Sequence, residues 1–327
     1  MKSLVKQKEF NIFLIIILVS IILTIVNPKF LTVVNLLDVI RGNVVTAILA
    51  LGMTLIIITG GIDVSVAAVT TSITVIMGGL FAYMTDSWIS VLLIFIIAPL
   101  TGILFGMLNG FFVSRINIPP IVVTLGTFNI FTGIVLYITN GRYLNSSHLP
   151  KSFIEFSNIK IFGISILIYI LAILAILTWY ILKKTQIGRS ILAIGGNRES
   201  AIRVGIDQKK VLLFVYGFMG FLSGFAAIAQ TAYTKAVDPN GLLGLELMVI
   251  AAVVVGGTSV QGGRGTIHGT LLGVFLIAIL ENGMILAHID TYWQKVVIGA
   301  VIVIAVTYDQ ISYRRQQKKL ATIQVDD

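Results

Sequence analysis

Two carboxylates, Asp63 and Glu281, lie inside or beside long apolar stretches of the sequence. In lipid, a carboxylate is strongly disfavoured unless it is solvated or paired. Asp63 follows Gly60 and Gly61, and paired glycines permit a backbone break whose amide groups could satisfy the carboxylate. We expect Asp63 either to line a pathway or to cap the helix that follows it. We expect Glu281 either to face a polar cavity, where it could bind a proton, or to lie at the outer membrane interface.

Hydroxyl and amide side chains interrupt the apolar stretch that follows Pro119 and Pro120. Thr124 and Thr127 have the spacing that places two side chains on one helix face, and Asn129 follows them. Such side chains can line an uncharged pathway, although in membrane helices they more often bond to the backbone or to a neighbouring helix. The predicted pathway residues are Asp63, Ser65, Asn109, Thr124, Thr127, Asn129, Glu281 and Asn282.

Catalytic and metal sites find no support in the sequence. The chain has no cysteine, and its histidines, His148, His268 and His288, lack the close spacing of metal ligands. No G-x-x-x-x-G-K-[ST] pattern occurs, so the chain has no phosphate-binding loop of that type. We therefore expect no catalytic residue, no metal and no cofactor, and any ATP chemistry would belong to a partner.

The hydrophilic segment 183–210 is the most distinctive connection in the chain. Asn197 can cap a short helix, and Gly205 can end it. Such a helix would project into the cytosol with small residues exposed. The alternative is an ordinary solvated connection.

The amino-acid composition predicts the kind of secondary structure that holds these polar side chains. Among the 327 residues, 57% are hydrophobic and only 11% are charged, and the mean hydropathy is +1.00. A soluble protein carries about 25% charged residues, so the solvent of this chain must be largely lipid. We predict an all-α integral membrane protein, multi-pass in the cell membrane, with one transmembrane domain over residues 1–327.

Ten apolar stretches are candidates for membrane-crossing helices, which need about 20 mostly apolar residues. The eighth is short and could dip into the membrane and return. The first follows three lysines and resembles a signal peptide, but no small-x-small cleavage site follows it, which favours an uncleaved span. The ten stretches are 10–26, 44–59, 64–84, 88–113, 121–138, 164–182, 211–231, 246–258, 266–287 and 295–311.

The distribution of basic residues predicts how the chain is oriented in the membrane. With ten spans and a cytoplasmic amino terminus, 16 Lys and Arg fall on the inner side and 7 on the outer side. This asymmetry follows the positive-inside rule and accounts for the net charge of +9 without nucleic acid. We therefore predict that both termini and segment 183–210 are cytoplasmic, and that the basic tail 312–327 touches anionic lipid.

Two glycine patterns bear on packing. Gly102, Gly106 and Gly110 have the small-xxx-small spacing of close helix contacts, as do Gly269 and Gly273. An internal repeat is also suggested, because Asn109-Gly110 and Gly126 recur at a constant offset as Asn282-Gly283 and Gly299. In the predicted topology the two copies would be inverted, as in many transporters. Accidental similarity between apolar helices is the alternative.

Four stretches together resemble the permease subunit of the ribose-type, simple-sugar ABC importers, some of which carry the furanosyl signal autoinducer-2. They occur in the family's order: Gly60-Gly61-Ile62-Asp63-Val64-Ser65-Val66, Ile118-Pro119-Pro120 through Leu125-Gly126-Thr127, Ala193-Ile194-Gly195-Gly196-Asn197 through Gly205-Ile206, and Ala251 through Thr258-Ser259 with Gly262-Gly263-Arg264-Gly265.

The resemblance implies a channel-forming subunit that pairs with a second permease subunit, identical or paralogous. It also implies a cytoplasmic ATPase, which would bind ATP and Mg, and an extracytoplasmic solute-binding protein. On this resemblance, segment 183–210 contains an ATPase-docking loop. Its predicted docking residues are Gly195, Gly196, Asn197, Arg198, Glu199, Ser200, Ala201 and Gly205.

Three function classes follow from these features. The first is a non-catalytic half-channel of an ATP-driven importer for a sugar or sugar-like solute. The second is a proton-coupled secondary transporter with Asp63 and Glu281 as proton carriers, which would work without partners. The third, a membrane-embedded enzyme, would need a clustered constellation that the sequence lacks.

Overall fold

The computed structural model is almost entirely helical and describes residues 2–145, 149–290 and 292–301, with single positions 303, 304, 307 and 311. The side chains of residues 2–8 are not described. The long helices are α1 (Lys2–Val26), α3 (Val44–Ile58), α4 (Val66–Phe81), α5 (Trp88–Ser114), α6 (Pro120–Thr139), α8 (Ile166–Lys184), α11 (Gln208–Thr234) and α13 (Ile267–Leu286). The shorter elements are η1 (Pro28–Leu31), α2 (Val33–Gly42), α7 (Lys151–Asn158), β1 (Lys160–Ile161), β2 (Ile164–Ser165), α9 (Gln186–Gly196), α10 (Arg198–Arg203) and α12 (Leu245–Val255).

Each of the first nine predicted stretches contains a helix. Within the described residues, six helices are long and apolar enough to cross a membrane, and the bent pair α2–α3 would make a seventh. Helices α4 and α12 are apolar but shorter than a span. Residues 292–301 are helical as well, and part of the tenth stretch lies outside the described residues. The total of about ten spans, like the cytoplasmic position of the termini, stays a prediction.

Helices α5 and α11 form the closest helix contact in the middle of the bundle. A Cβ atom on Gly102 would lie 2.0 Å from the carbonyl oxygen of Gly220, and one on Gly106 would lie 2.2 Å from that of Tyr216. Only a hydrogen atom fits at these positions, so the two backbones touch directly. The predicted role of the Gly102–Gly106–Gly110 spacing in helix packing is confirmed.

The second glycine pattern acts in the same way between α12 and α13. A Cβ on Gly273 would lie 2.1 Å from the Ala252 carbonyl oxygen, and one on Gly269 would lie 2.3 Å from that of Gly256. Helix α13 also packs with α1 and α2 around a second core cluster that is separate from the main one. The bundle therefore has two cores.

The connection between α6 and α8 folds onto the bundle. The strands β1 and β2 form an antiparallel hairpin, and Leu144 pairs with Val237 in an isolated bridge. The Ser152 amide donates to the Asp86 carboxylate at 2.8 Å, and this hydrogen bond lowers the pKa of Asp86 below its ordinary value. His148 lies outside the described residues.

The predicted internal repeat relates Gly126 on α6 to Gly299. Gly126 and Gly299, which correspond in the sequence repeat, both face open space, since a Cβ on either would meet nothing within 4 Å. The internal repeat and its inverted orientation both stay predictions.

Candidate functional site

Asp63 lies in a buried polar cluster at the break between α3 and α4. Its side chain is 3% exposed, and its Oδ1 accepts hydrogen bonds from the backbone amide and the hydroxyl of Ser65, at 2.8 and 2.6 Å. The Ser65 hydroxyl in turn accepts a hydrogen bond from Asn109 Nδ2 on α5, at 2.8 Å. The carboxylate thus closes an Asx-type turn immediately before α4 and ties that turn to α5.

Helix α6 contributes Thr124 to the same turn. The Thr124 hydroxyl accepts the amide of Val64 at 3.1 Å and donates to the backbone of its own helix, with Pro120 O at 3.0 Å. Thr124 is fully buried, and Thr127 is 6% exposed and bonded to the carbonyl of Thr124. Four predicted pathway residues, Asp63, Ser65, Asn109 and Thr124, therefore meet in one cluster that joins α4, α5 and α6.

The other predicted pathway residues lie elsewhere. Asn129 is exposed on α6 and donates to Leu125 O at 2.8 Å. Asn282 on α13 exchanges two amide hydrogen bonds with Asn35 on α2, at 2.9 and 3.1 Å. Glu281 is half-buried beside Asn282. No hydrogen bond or ion pair among the described residues joins Glu281 to the cluster around Asp63.

We expect Asp63→Ala to lower the free energy of unfolding by about 1–3 kcal/mol, because the buried Ser65 amide and hydroxyl would lose their acceptor. Asp290→Ala is the matched control, since Asp290 is exposed and its side chain accepts, among the described residues, only the Tyr292 amide. Thermal unfolding of both variants in detergent measures the difference. Equal midpoints for Asp63→Ala and wild type would contradict the structural role of the cluster.

The segment 183–210 folds as two short helices, α9 and α10, with the predicted caps in place. Asn197 Oδ1 accepts the amide of Ser200 at 2.9 Å, which caps the start of α10. Gly205, at φ +85°, follows its end, and the Ile206 amide returns to Ala201 O at 3.1 Å. Both cap predictions are confirmed. The segment is an ordered helical unit rather than a loose connection.

Gly195 fixes this unit to the membrane bundle. A Cβ on Gly195 would lie 1.7 Å from the carbonyl oxygen of Ile58, the last residue of α3. The same carbonyl accepts the amide of Gly263 at 2.8 Å. Three backbone segments therefore meet at one point, just before the Gly60–Gly61 break. A displacement of α9 must act on the end of α3.

The surface of α10 differs from the sequence expectation at one residue. Ala201 was expected to be exposed, but it is 3% exposed and belongs to the main core. The reason is that α10 folds back onto α9 and buries this face. Arg198, Glu199 and Ser200 are exposed, with an exposed ion pair of 3.9 Å between Glu199 and Arg203.

Two exposed apolar residues of this unit were missed by the sequence reasoning. Ile202 and Val204 are 50% and 77% exposed, although they stand in a hydrophilic segment. A helix as short as α10 shows no readable hydrophobic period, so only the structure reveals which side chains face outward. Exposed apolar groups rimmed by charged ones are typical of a protein interface.

Comparisons with known proteins cover most of the chain. Residues 35–306 match the protein family described as "Branched-chain amino acid transport system / permease component". The chain is 35% identical over 310 residues to the ribose import permease protein RbsC of Haemophilus influenzae, and the alignment covers 94% of each chain. It is 36% identical over 300 residues to RbsC of Bacillus subtilis, which covers 92% of this chain and 91% of the relative.

A more distant relative carries another sugar name. The D-allose transport system permease protein AlsC of Escherichia coli is 34% identical over 221 residues, which cover 66% of this chain and 67% of the relative. No solved structure gives a significant match to the chain.

Proposed function

Because the chain belongs to the family of branched-chain amino acid transport system permease components, we propose that it is the membrane subunit of an ATP-driven importer for a monosaccharide or sugar-like solute. The observation that carries the proposal is the similarity over nearly the whole chain to two ribose import permeases. The sugar names of these relatives favour a sugar over an amino acid. Ribose, another monosaccharide and the sugar-like autoinducer-2 all fall within the proposed ligand class.

ATP hydrolysis is assigned to a separate cytoplasmic ATPase, which would bind ATP and Mg. The sequence has no phosphate-binding loop of the G-x-x-x-x-G-K-[ST] type. The docking surface consists of the exposed side of α10, with Arg198, Ser200, Ile202 and Val204. A push on this surface would reach α3 through the backbone contact between Gly195 and Ile58. The cluster at Asp63 follows directly along the chain.

A second permease subunit is proposed to cover one face of α6. Gly126, Asn129 and Gly133 follow the three-and-four spacing of one helix face, and a Cβ on either glycine would meet nothing within 4 Å. An amide such as that of Asn129 is disfavoured against lipid. Small residues around a polar one suit a contact between helices or a pathway between two subunits. An extracytoplasmic binding protein would deliver the solute to the outer side.

We expect the purified chain alone, in liposomes, to hydrolyse no ATP and to import no sugar under a proton gradient. The same chain with its ATPase, its binding protein and ATP inside the vesicles should import labelled D-ribose, D-allose or L-arabinose. Uptake of labelled sugar and release of phosphate are the two measurements. Gradient-driven uptake by the chain alone would overturn the proposal in favour of a secondary transporter.

A further inference from the structure

We call the helical unit of segment 183–210 the docking unit, after its proposed role. A cavity of about 310 Å³ lies between this docking unit and the membrane bundle. Gly60 and Gly61, at the break between α3 and α4, form one wall, and Asn117, in the turn before α6, forms another. Arg198 of α10 and Gln208 at the start of α11 lie at the side of the docking unit. This cavity is distinct from the buried cluster at Asp63, because neither Asp63 nor Ser65 lines it.

Tyr216 on α11 is one of the residues that line this cavity, and its hydroxyl is buried behind the cavity surface. Tyr216 is 1% exposed, and its hydroxyl has no hydrogen-bond partner among the described residues. The hydroxyl faces the break, since a Cβ on Gly61 would lie 3.1 Å from it. A buried hydroxyl without a partner is unfavourable by about 1–3 kcal/mol. Such groups are rare in native proteins and call for an explanation.

The chemistry of the lining indicates what could satisfy this hydroxyl. Asn117 and Gln208 provide amide donors and acceptors, and Thr59 provides a second hydroxyl. No carboxylate is among the lining residues, and the one cation, Arg198, donates its Nε–H to Gln208 at 2.6 Å and keeps its other guanidinium N–H groups as donors. The rest of the lining is mostly apolar: Val113, Ile118, Pro119, Pro120, Ile194 and Leu212. Neutral groups that both donate and accept suit a neutral polyhydroxylated molecule. The volume is at the lower end of small-molecule sites, which run from about 300 to 1,000 Å³.

We propose that this cavity is a second sugar site, which binds the imported monosaccharide from the cytoplasmic side and slows further import. The identity of the sugar and the side of entry rest on the proposed function. A bound sugar would form a hydrogen bond with the Tyr216 hydroxyl and would also contact Gln208 or Arg198 at the docking unit. The site is therefore one of product inhibition.

The position of the cavity explains why a ligand there would inhibit. Its walls come from the α3–α4 break, the turn before α6, α10 and the start of α11. Under the proposed function, the docking unit and the end of α3 that it contacts move together, relative to α6 and α11. A ligand that contacts both sides stabilises the one arrangement in which all its contacts are made, and so shifts the population toward it. Cytoplasmic sugar would hold the subunit in that arrangement.

The test uses the full complex of permease, ATPase and binding protein in liposomes with ATP inside. The initial rate of labelled sugar uptake is measured against increasing unlabelled sugar inside, with whichever of D-ribose, D-allose and L-arabinose enters empty vesicles fastest. We expect wild-type uptake to fall as the inner sugar rises through the millimolar range. Tyr216→Phe should shift the half-inhibitory concentration upward about 2- to 12-fold, the loss expected for one neutral hydrogen bond, with unchanged uptake into empty vesicles.

Tyr180→Phe is the matched control, because Tyr180 is 55% exposed on α8 and does not line the cavity. It should be inhibited like the wild type. The purified permease alone gives a second measurement: the same sugars should raise its melting temperature in detergent, and less so for Tyr216→Phe.

The two proposals fail in different ways. If no sugar enters empty vesicles, the proposed transport function fails, and sugar-dependent stabilisation of the purified permease still tests the cavity. If uptake is normal, but inner sugar neither inhibits the wild type nor stabilises it, the second site is overturned. Equal inhibition of Tyr216→Phe and wild type would also overturn it, since the inner sugar would then inhibit from another site.

Discussion

Replacing Gly102 with alanine should separate α5 from α11 and lower the free energy of unfolding by at least about 1–3 kcal/mol. The new Cβ would lie 2.0 Å from Gly220 O and 2.8 Å from its carbonyl carbon. These are backbone atoms in the middle of a helix, so no side-chain rotation can relieve the clash. Gly220→Ala should have the same effect, because its Cβ would lie 1.9 Å from Gly102 O.

Gly79→Ala on α4 is the matched control. A Cβ there would meet nothing within 4 Å, and alanine favours helix by about 0.5–1 kcal/mol over glycine. Its melting temperature in detergent should equal or exceed that of the wild type, whereas the Gly102 and Gly220 variants should melt lower and yield less monodisperse protein. If Gly102→Ala and Gly220→Ala both melt at the wild-type temperature, α5 and α11 do not touch as described.

Much of the helical framework could be predicted from the sequence, because the apolar runs are long and a membrane leaves few alternatives to a helix. The glycine spacing also predicted close helix contacts, although it could not name α11 as the partner of α5. Helices α2 and α7 were not predicted. Both are short and partly polar, and their position depends on contacts with distant parts of the chain, such as the hydrogen bonds between Asn35 and Asn282.

The sequence predicted the position of Asp63 at a helix break but not which residues of other helices contact it. The glycine pair beside a carboxylate located the break. The expectation that Asp63 caps the next helix was met only in that its carboxylate accepts a backbone amide, because the N-cap of α4 is Ser65 itself. The partners Asn109 and Thr124 come from α5 and α6, so their convergence is a property of tertiary packing. The sequence reasoning grouped Asn282 with these residues because of its residue type alone. Its hydrogen-bond partner is Asn35 on α2.

Burial within the docking unit could not be read from the sequence either. A small residue such as Ala201 suits both a close contact with a partner and a packed interior, and here it packs inside. For this reason a bulky residue at Ala201 would disturb the unit itself and would not test docking. The exposed apolar residues give a cleaner test.

Replacing Val204 with aspartate should weaken the association of the ATPase by about 30-fold or more, which corresponds to about 2 kcal/mol. Val204 is 77% exposed at the end of α10, next to Ile202 at 50%. Because its side chain contacts little of the permease, the substitution should leave the membrane bundle folded. In a complex, the aspartate would place an unpaired charge against an apolar surface, where its loss of hydration is not repaid.

Gln186→Asp is the matched control, since Gln186 is exposed in the first turn of α9 on the same unit and adds the same charge without removing an apolar group. The dissociation constant of the ATPase is measured with each variant in nanodiscs, together with the melting temperature of the permease. We expect weak binding and normal melting for Val204→Asp, and normal values of both for Gln186→Asp. If Val204→Asp binds the ATPase as tightly as the wild type, the apolar end of α10 does not enter the interface. Force from the ATPase would then have to reach the Gly195–Ile58 contact through another part of segment 183–210.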